Sequence, residues 1–197
     1  MAEPMPETPA GQSFTGRLIR SWRDPRGVMR GVLDTRPEES RILMFAMTSG
    51  MILLLAESLS LVMRASRVGG SERIAVAFAA AFTALLILRP LFLYILAAVI
   101  GLAARALGGA GSWRETRAAV AWAAVAAAPI SVLGRAVEEA LISGGIGWLS
   151  VSAVGNAAFA VMLAYCVAEA HRFEKVWPTL VVIGGLTMAI WGMIYAA

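Results

Sequence analysis

The sequence predicts an all-α polytopic membrane protein, a helical bundle of five transmembrane helices with an N-terminal amphipathic interfacial helix. Of its 197 residues, 59% are hydrophobic and 15% are charged, against about 25% charged residues in typical soluble proteins. The mean hydropathy of +0.73 is too high for an ordinary soluble domain. The charges also cluster between apolar runs of about 20 residues, the length that crosses a bilayer.

A helical hairpin is the clearest element of this pattern. Its first arm, residues 74–107, is interrupted in its middle by Arg89 and Pro90, and Pro90 is expected to kink it. Its second arm, residues 118–133, is rich in alanine and contains Pro129. The turn between them is too short for anything but an antiparallel return. The turn residues are Gly108, Gly109, Gly111, Ser112, Trp113 and Arg114.

The apolar runs together predict one membrane domain of five spans over residues 40–197. We place the spans at residues 42–63, 74–104, 116–133, 147–168 and 178–196. Residues 1–12 contain three prolines and no apolar stretch, so they are predicted to be a disordered tail and not a signal peptide. Residues 13–34 form a separate amphipathic segment, cytoplasmic or interfacial.

The basic residues indicate the orientation in the membrane. Twelve Lys and Arg residues fall in the N-terminal region, the hairpin turn and residues 169–177, whereas four fall on the opposite side. Because cytoplasmic loops carry the excess of these residues, we expect a cytoplasmic N-terminus and a periplasmic C-terminus. The arginine-rich, lysine-poor composition favours a bacterial inner membrane. Trp113, Trp148 and Trp177 fall at the predicted interfaces.

Residues 13–34 have the pattern of basic amphipathic helices. Phe14, Leu18 and Trp22 recur at helical spacing, and Asp24 with Pro25 marks the start of a second helix. Such a segment suits the surface of an anionic leaflet, which makes anionic lipid a predicted partner. The alternative is a helix that packs on the cytoplasmic loops. The surface-binding candidates are Arg17, Arg20, Trp22, Arg23, Arg26 and Arg30.

Four polar residues fall within or close to the predicted spans: Glu57, Arg89, Arg135 and Asn156. Charges at membrane depth are costly and usually face a protein interior or water. Glu57 and Arg135 lie at similar depth, which favours an ion pair between them. Arg89 lies deeper, and could instead lie over backbone carbonyls freed by Pro90. The group is either a solute or proton pathway or a structural ion pair, and the small number of intramembrane acids favours the structural interpretation.

The sequence contains no pattern typical of an enzyme or a metalloprotein. Cys166 and His171 are each the one residue of their type, which excludes an internal disulfide and argues against a metal site. The glycine turn lacks the lysine of a phosphate-binding loop. Most arginines flank apolar spans, so the net charge of +4 does not indicate nucleic acid. We predict no catalytic residue, cofactor or metal.

A set of residues along the chain resembles a known family. The set is Trp22-x-x-Pro25, then Leu107-Gly108-Gly109-x-Gly111-Ser112 followed by Arg114 and Arg117, then an alanine-rich span that ends in Pro129. Over residues 14–195 this pattern resembles the bacterial branch of the Yip family, membrane proteins first defined as partners of Ypt/Rab GTPases. The resemblance implies five spans, a cytoplasmic N-terminus and a non-enzymatic role. Eukaryotic members are implicated in vesicle traffic and membrane shaping.

The N-terminal region departs from the family pattern. Eukaryotic members carry a longer cytoplasmic segment that helps to recruit the GTPase, so Rab binding is not transferred to this chain. The functional prediction is a scaffold or a membrane-organising, trafficking-type adaptor. The alternative is a small solute or proton transporter or channel that uses Glu57 and Arg89. The protein partner is left open, and so is a homo-oligomer.

Overall fold

The computed structural model describes residues 13–68, 71–143 and 152–185, and its regular elements in these ranges are all helical. The helices are α1 Phe14–Ser21, α2 Pro25–Asp34, α3 Glu39–Val68, α4 Ser71–Phe82, α5 Arg89–Ala106, α6 Trp113–Ser143 and α7 Ser152–Ala170, followed by α8 at 177–185. A π-helical turn, Thr83–Leu88, joins α4 to α5.

Three helices in the described part are long and apolar enough to cross a membrane: Glu39–Val62, Glu72–Ala106 and Trp113–Glu138. They coincide with the first three predicted spans and confirm the all-α membrane class. The helix Val154–Ala170 is apolar but shorter, and residues 144–151 and 186–197 lie outside the described residues. The fourth and fifth spans, and the position of Trp148, therefore stay predictions.

Most of the connection predicted between the first two spans is helical. Helix α3 continues to Val68 and α4 begins at Ser71, so helix covers most of residues 64–73, which the predicted spans left as a connection. Arginine is a good helix former, and Arg64, Arg67 and Arg73 do not end a helix as glycine or proline would.

Helix α6 is the central helix of the bundle and contacts α3, α5 and α7. Every residue from 118 to 128 is buried. Small side chains let neighbouring helices approach closely. The alanines at four-residue spacing, Ala119, Ala123 and Ala127, therefore serve packing within the chain. On α7, a Cβ atom at Gly155 would lie 2.9 Å from the Cα of Ser131, so these two helices also pack closely.

Two ion pairs give the relative direction of α3 and α6. Glu39 pairs with Arg117 and Glu57 pairs with Arg135, and both pairs join residues 78 positions apart. The two helices therefore run parallel in constant register. Glu39 and Glu57 are five helical turns apart, roughly 27 Å along the axis.

Helix α5 runs antiparallel to α3. The Tyr94 hydroxyl donates to Glu39 at 3.3 Å, and Arg89 Nε donates to Ser49 Oγ at 3.3 Å. From the first of these contacts to the second, the residue number rises on α3 and falls on α5. The directions of α3, α5 and α6 alternate along the chain, as consecutive membrane crossings require.

Pro90 is preceded by a π-helical turn. The Arg89 N–H bonds to the Ala84 carbonyl five residues back. Proline has no N–H, so Pro90 cannot bond to the Leu85 carbonyl in the same way. Helix α3 approaches this carbonyl at Gly50, where a Cβ atom would lie 2.3 Å from the Leu85 oxygen. The close approach of α3 to the π-helical turn therefore depends on glycine at position 50.

The N-terminal helices pack on the bundle. Asp24 caps α2 and Pro25 occupies its first turn, as predicted. Val28, Met29 and Val32 of α2 are buried in the core formed with α6 and α7. The apolar side that motivates the membrane-surface prediction is therefore packed against protein, as the alternative requires. The interfacial role of the segment stays a prediction.

Two tryptophans join α1 to α6. The Trp122 indole N–H donates to Ser21 Oγ at 3.2 Å, and the Trp22 indole N–H donates to the Ala126 carbonyl at 3.0 Å. The second bond lies just before Pro129, which lacks an N–H and whose ring disturbs the preceding helical turn. Trp22 therefore binds the turn of α6 that precedes Pro129.

Candidate functional site

Four chain segments meet at one end of the bundle, which we call the charged end. They are α2, the turn 35–38 before α3, the hairpin turn 107–112 between α5 and α6, and residues 171–176 after α7. Backbone bonds, side-chain bonds and ion pairs join the segments to one another. The candidate turn residues and two of the candidate surface arginines lie here.

Glycine is required where α5 ends. Gly108 has a φ of +86°, a left-handed conformation that glycine adopts without steric cost. Its N–H bonds to the Arg105 carbonyl at 2.9 Å, and the Gly109 N–H bonds to the Ala104 carbonyl at 2.9 Å. This pair of bonds is the Schellman motif, which satisfies carbonyls at a helix C-terminus. The first glycine of the predicted turn therefore ends the second span.

His171 explains the other two glycines. Its ring is buried, and its Nε2 lies 2.9 Å from Thr116 Oγ1. Its carbonyl accepts the Ala110 N–H at 3.2 Å. A Cβ atom added at Gly109 would lie 2.7 Å from the His171 Nδ1, and one added at Gly111 would lie 2.9 Å from the same atom. The ring therefore packs directly against the glycine backbone and fixes the hairpin turn to the end of α7.

Ser112 and Glu115 begin α6 with a reciprocal cap. The Glu115 N–H donates to Ser112 Oγ at 3.2 Å, and the Ser112 N–H donates to the Glu115 carboxylate at 2.6 Å. This arrangement is the capping box, which satisfies two helix-terminal donors. The other Glu115 oxygen lies 3.6 Å from Arg172. The cap therefore also ties α6 to the segment after α7.

The aromatic residue of the turn is held from two sides. A Cβ atom at Gly101 of α5 would lie 3.1 Å from the Trp113 ring, so this ring packs on the α5 backbone. The Arg105 guanidinium lies 3.8 Å from the centroid of a Trp113 ring and donates to the Gly111 carbonyl at 3.3 Å. Trp113 remains partly exposed, which suits an aromatic residue at a membrane interface.

Glu169 binds α2 to the charged end. Arg26 Nε lies 3.1 Å and Arg30 Nε 2.8 Å from its two carboxylate oxygens. Arg26 also donates to the carbonyls of Phe173 and Glu174. Two of the predicted surface-binding arginines thus make intramolecular contacts. Sequence reasoning missed Glu169 as their partner, because it lies more than 130 positions along the chain.

The other surface-binding candidates lie on α1 and the turn after it. Arg17 lies over the Trp122 ring at 6.0 Å, whereas Arg20 and Arg23 are exposed. The Arg20 guanidinium is 3.9 Å from Asp24. Their contact with lipid stays a prediction.

The intramembrane candidates form two groups. Arg135 forms an ion pair with Glu57, which confirms the partner predicted from depth, and Arg89 is hydrogen-bonded to Ser49. Asn156 is exposed on α7. A cavity at the charged end and a narrow crevice between α5, α7 and α8 are lined by none of these four polar residues. The role of the group stays a prediction.

The buried histidine makes stability sensitive to pH. Burial first, and the nearby Arg105 second, lower the pKa of His171 below its usual value. The unfolded chain therefore binds a proton near pH 6.5 that the folded chain resists, and stability falls as pH drops through that value. His171 is the single histidine, so other side chains titrate mostly outside pH 5–7.

We expect the thermal midpoint in detergent to fall between pH 7 and pH 5 for the wild type, and to change much less for His171→Gln. The slope against pH is the readout, because the substitution can lower the midpoint at every pH. Equal slopes in the two proteins would show that this ring is not held neutral.

The long apolar helices and the charged end define an integral membrane protein of the helical-bundle class, with a polar end assembled from four segments. The sequence profile of the Yip1 domain matches residues 19–197. The chain therefore belongs to the Yip1 domain family, as the residue pattern indicated. No curated protein and no solved structure shows a significant match to the chain.

Proposed function

We propose that the protein is a non-enzymatic scaffold or membrane-organising adaptor of trafficking type, and that the charged end is its platform for partners. The observation that supports this most is the network of contacts within that end. The His171 contacts and the Glu115–Arg172 pair join the start of α6 to residues 171–176, and the Glu169 ion pairs join α2 to the end of α7. A preorganised surface loses little conformational freedom on binding, which favours affinity.

The proposed topology has five spans in a bacterial inner membrane, with the N-terminus and the charged end in the cytoplasm and the C-terminus in the periplasm. Two observations support it. The directions of α3, α5 and α6 alternate. The predicted cytoplasmic side contains twelve basic residues. All four segments of the charged end belong to this side. Arg20 and Arg23, which are exposed, are the proposed contacts with anionic lipid on this side.

Reporter fusions test this topology. An enzyme active only in the cytoplasm should be active when fused after Lys175, and one active only in the periplasm should be active when fused after Ala197. A fusion after Asp34 serves as a cytoplasmic control. Periplasmic activity after Lys175 would place the charged end outside the cell and reject a cytoplasmic platform. Cytoplasmic activity after Ala197 would reject the count of five spans.

A small transporter is the second candidate, and the π-helical turn favours it. Such turns occur frequently at functional sites, and this one directly precedes Arg89 in a candidate span. Glu57 would then be the proton-binding group, with Arg89 in the pathway. Because Glu57 forms an ion pair with Arg135, substitution of Glu57 is expected to affect a scaffold and a transporter differently.

A further inference from the structure

We propose that the charged end binds a phosphate group in a cavity between the turn 35–38 and the first turn of α6. The cavity has a volume of about 340 Å³ and is lined by Leu33, Arg36, Pro37, Ser112, Arg114 and Glu115. Small-molecule sites usually occupy roughly 300–1,000 Å³, so a phosphate with a small substituent fits this volume. The two arginines come from separate segments, and both line this cavity.

Arg36 and Arg114 remain available for a ligand. Within the part of the chain that the structure describes, neither makes a hydrogen bond or an ion pair through its side chain. The other arginines of the charged end have partners there: Arg26 and Arg30 with Glu169, Arg105 with Gly111, Arg117 with Glu39, and Arg172 with Glu115.

The acid in the cavity does not neutralise these two groups. One Glu115 oxygen accepts the Ser112 N–H at 2.6 Å, and the other lies 3.6 Å from Arg172. The carboxylate is thus committed to the helix cap and to a third arginine. Arg114 also lies near Glu39, whose carboxylate is paired with Arg117. The lining residues thus comprise two arginines and one committed carboxylate, a balance of charge that favours an anion.

The backbones of both arginines lie at helix ends with defined geometry. Arg36 has a φ of +44°, a left-handed conformation that costs a residue with a Cβ atom roughly 1–2 kcal/mol. Its N–H bonds to the Leu33 carbonyl at 2.8 Å, and the following Pro37 is buried. Arg114 lies in the first turn of α6, next to the reciprocal cap. This left-handed conformation and this bond are the usual ones for the residue after a helix C-cap, so the end of α2 determines where the Arg36 backbone lies.

Phosphate is the anion that suits this pair of groups. Guanidinium is planar, stays charged and donates two parallel hydrogen bonds to phosphate oxygens. Two arginines can therefore bind different oxygens of one phosphate. The phosphate can come from the headgroup of an anionic phospholipid or from a soluble phosphate ester. The lipid source rests on the proposed function, which places this end at the cytoplasmic interface beside the exposed face of Trp113.

The test uses the full-length protein in detergent. Binding of phosphatidylglycerol and phosphatidylcholine in mixed micelles is compared with binding of glycerol 3-phosphate in solution. The variant is Arg36→Gln with Arg114→Gln. The matched control is Arg73→Gln with Lys175→Gln, which removes the same charge from exposed residues outside the cavity.

We expect the cavity variant to lower the affinity for phosphatidylglycerol about tenfold, and the control variant to lower it less than about twofold. Loss confined to the diacyl lipid identifies a lipid headgroup, whereas the same loss for glycerol 3-phosphate identifies a soluble ester. Equal affinities of the two variants would overturn the site. The site would also be overturned if the wild type bound phosphatidylcholine and phosphatidylglycerol with equal affinity and did not bind glycerol 3-phosphate. Because micelles have no sides, failure of the topology in the fusion experiment leaves this result unaffected.

Discussion

We expect Glu57→Leu or Arg135→Leu alone to lower the free energy of unfolding by about 3–5 kcal/mol, and the double variant to recover most of that loss. Leu55 and Leu59 on α3 and Leu133 on α6 expose apolar side chains beside the pair. In the proposed topology they face lipid, so the exposed 21% of Glu57 and 44% of Arg135 are not screened by bulk water. Removal of either side chain takes from the other the ion-pair partner that it has across the two helices. Unfolding in mixed micelles measures all three variants.

The pair between Glu39 and Arg117 is a matched control. It joins the same two helices at the same separation of 78 positions but lies at the charged end. Exposed pairs contribute about 0–1 kcal/mol, so we expect Arg117→Leu to cost far less than Arg135→Leu. If the losses at Glu57 and Arg135 simply add in the double variant, their interaction is not structural.

The same residues separate a scaffold from a transporter. A scaffold should lose stability with Glu57→Gln, because the Arg135 charge then lacks its carboxylate partner. A transporter should keep its fold, since a position lined by water tolerates neutralisation, but lose pH-dependent flux in proteoliposomes. A stable Glu57→Gln protein with altered flux would replace the scaffold proposal by the transport proposal.

The pairing of Glu57 with Arg135 was predictable because depth follows from residue number. Each helical residue adds about 1.5 Å, and alternating directions fix which residues share a level. The partner of Arg89 was not predictable in the same way. Contact with Ser49 depends on the rotation of α3 and α5 about their axes and on the π-helical turn, which hydropathy does not report.

The glycine turn was recognised in the sequence, but the reason for it was not. Gly108 could be assigned to a helix end from its type alone, whereas Gly109 and Gly111 are required by a ring some 60 positions away. The available signal was His171 itself, a single histidine in a short polar segment, which we considered only as a metal ligand. No regular spacing in a sequence indicates which distant side chain will pack against a pair of glycines.

The N-terminal helices show a different limit. Their caps were predictable, since Asp24 followed by Pro25 acts locally. The surface against which their apolar side packs was not predictable. Met29 and Val32 are removed from water equally well by contact with lipid and by contact with protein. Only the folded chain shows Trp22 and Trp122 bonded across the contact between α1 and α6.

The second large effect is expected for Gly50→Ala. The new Cβ atom would lie 2.3 Å from the Leu85 oxygen and 3.2 Å from the Leu85 carbonyl carbon. Both are backbone atoms, so a rotamer change cannot relieve the contact, and α3 must move away from the π-helical turn. Overpacking of this kind costs about 1–3 kcal/mol and occasionally more. Unfolding of Gly50→Ala in mixed micelles measures the loss.

Gly31→Ala is the control for Gly50→Ala, because it makes the same substitution within a helix that has open space. No atom lies within 4 Å of the new Cβ position at Gly31. Alanine is a better helix former than glycine by about 1 kcal/mol, so this variant should gain stability. The two substitutions thus share the helix propensity term and differ in the contact with Leu85. A gain of stability in both variants would mean that the π-helical turn yields easily and that Gly50 does not set the approach of α3. A loss at Gly50 alone shows that the close contact of α3 with the carbonyl before Pro90 is part of the stable fold.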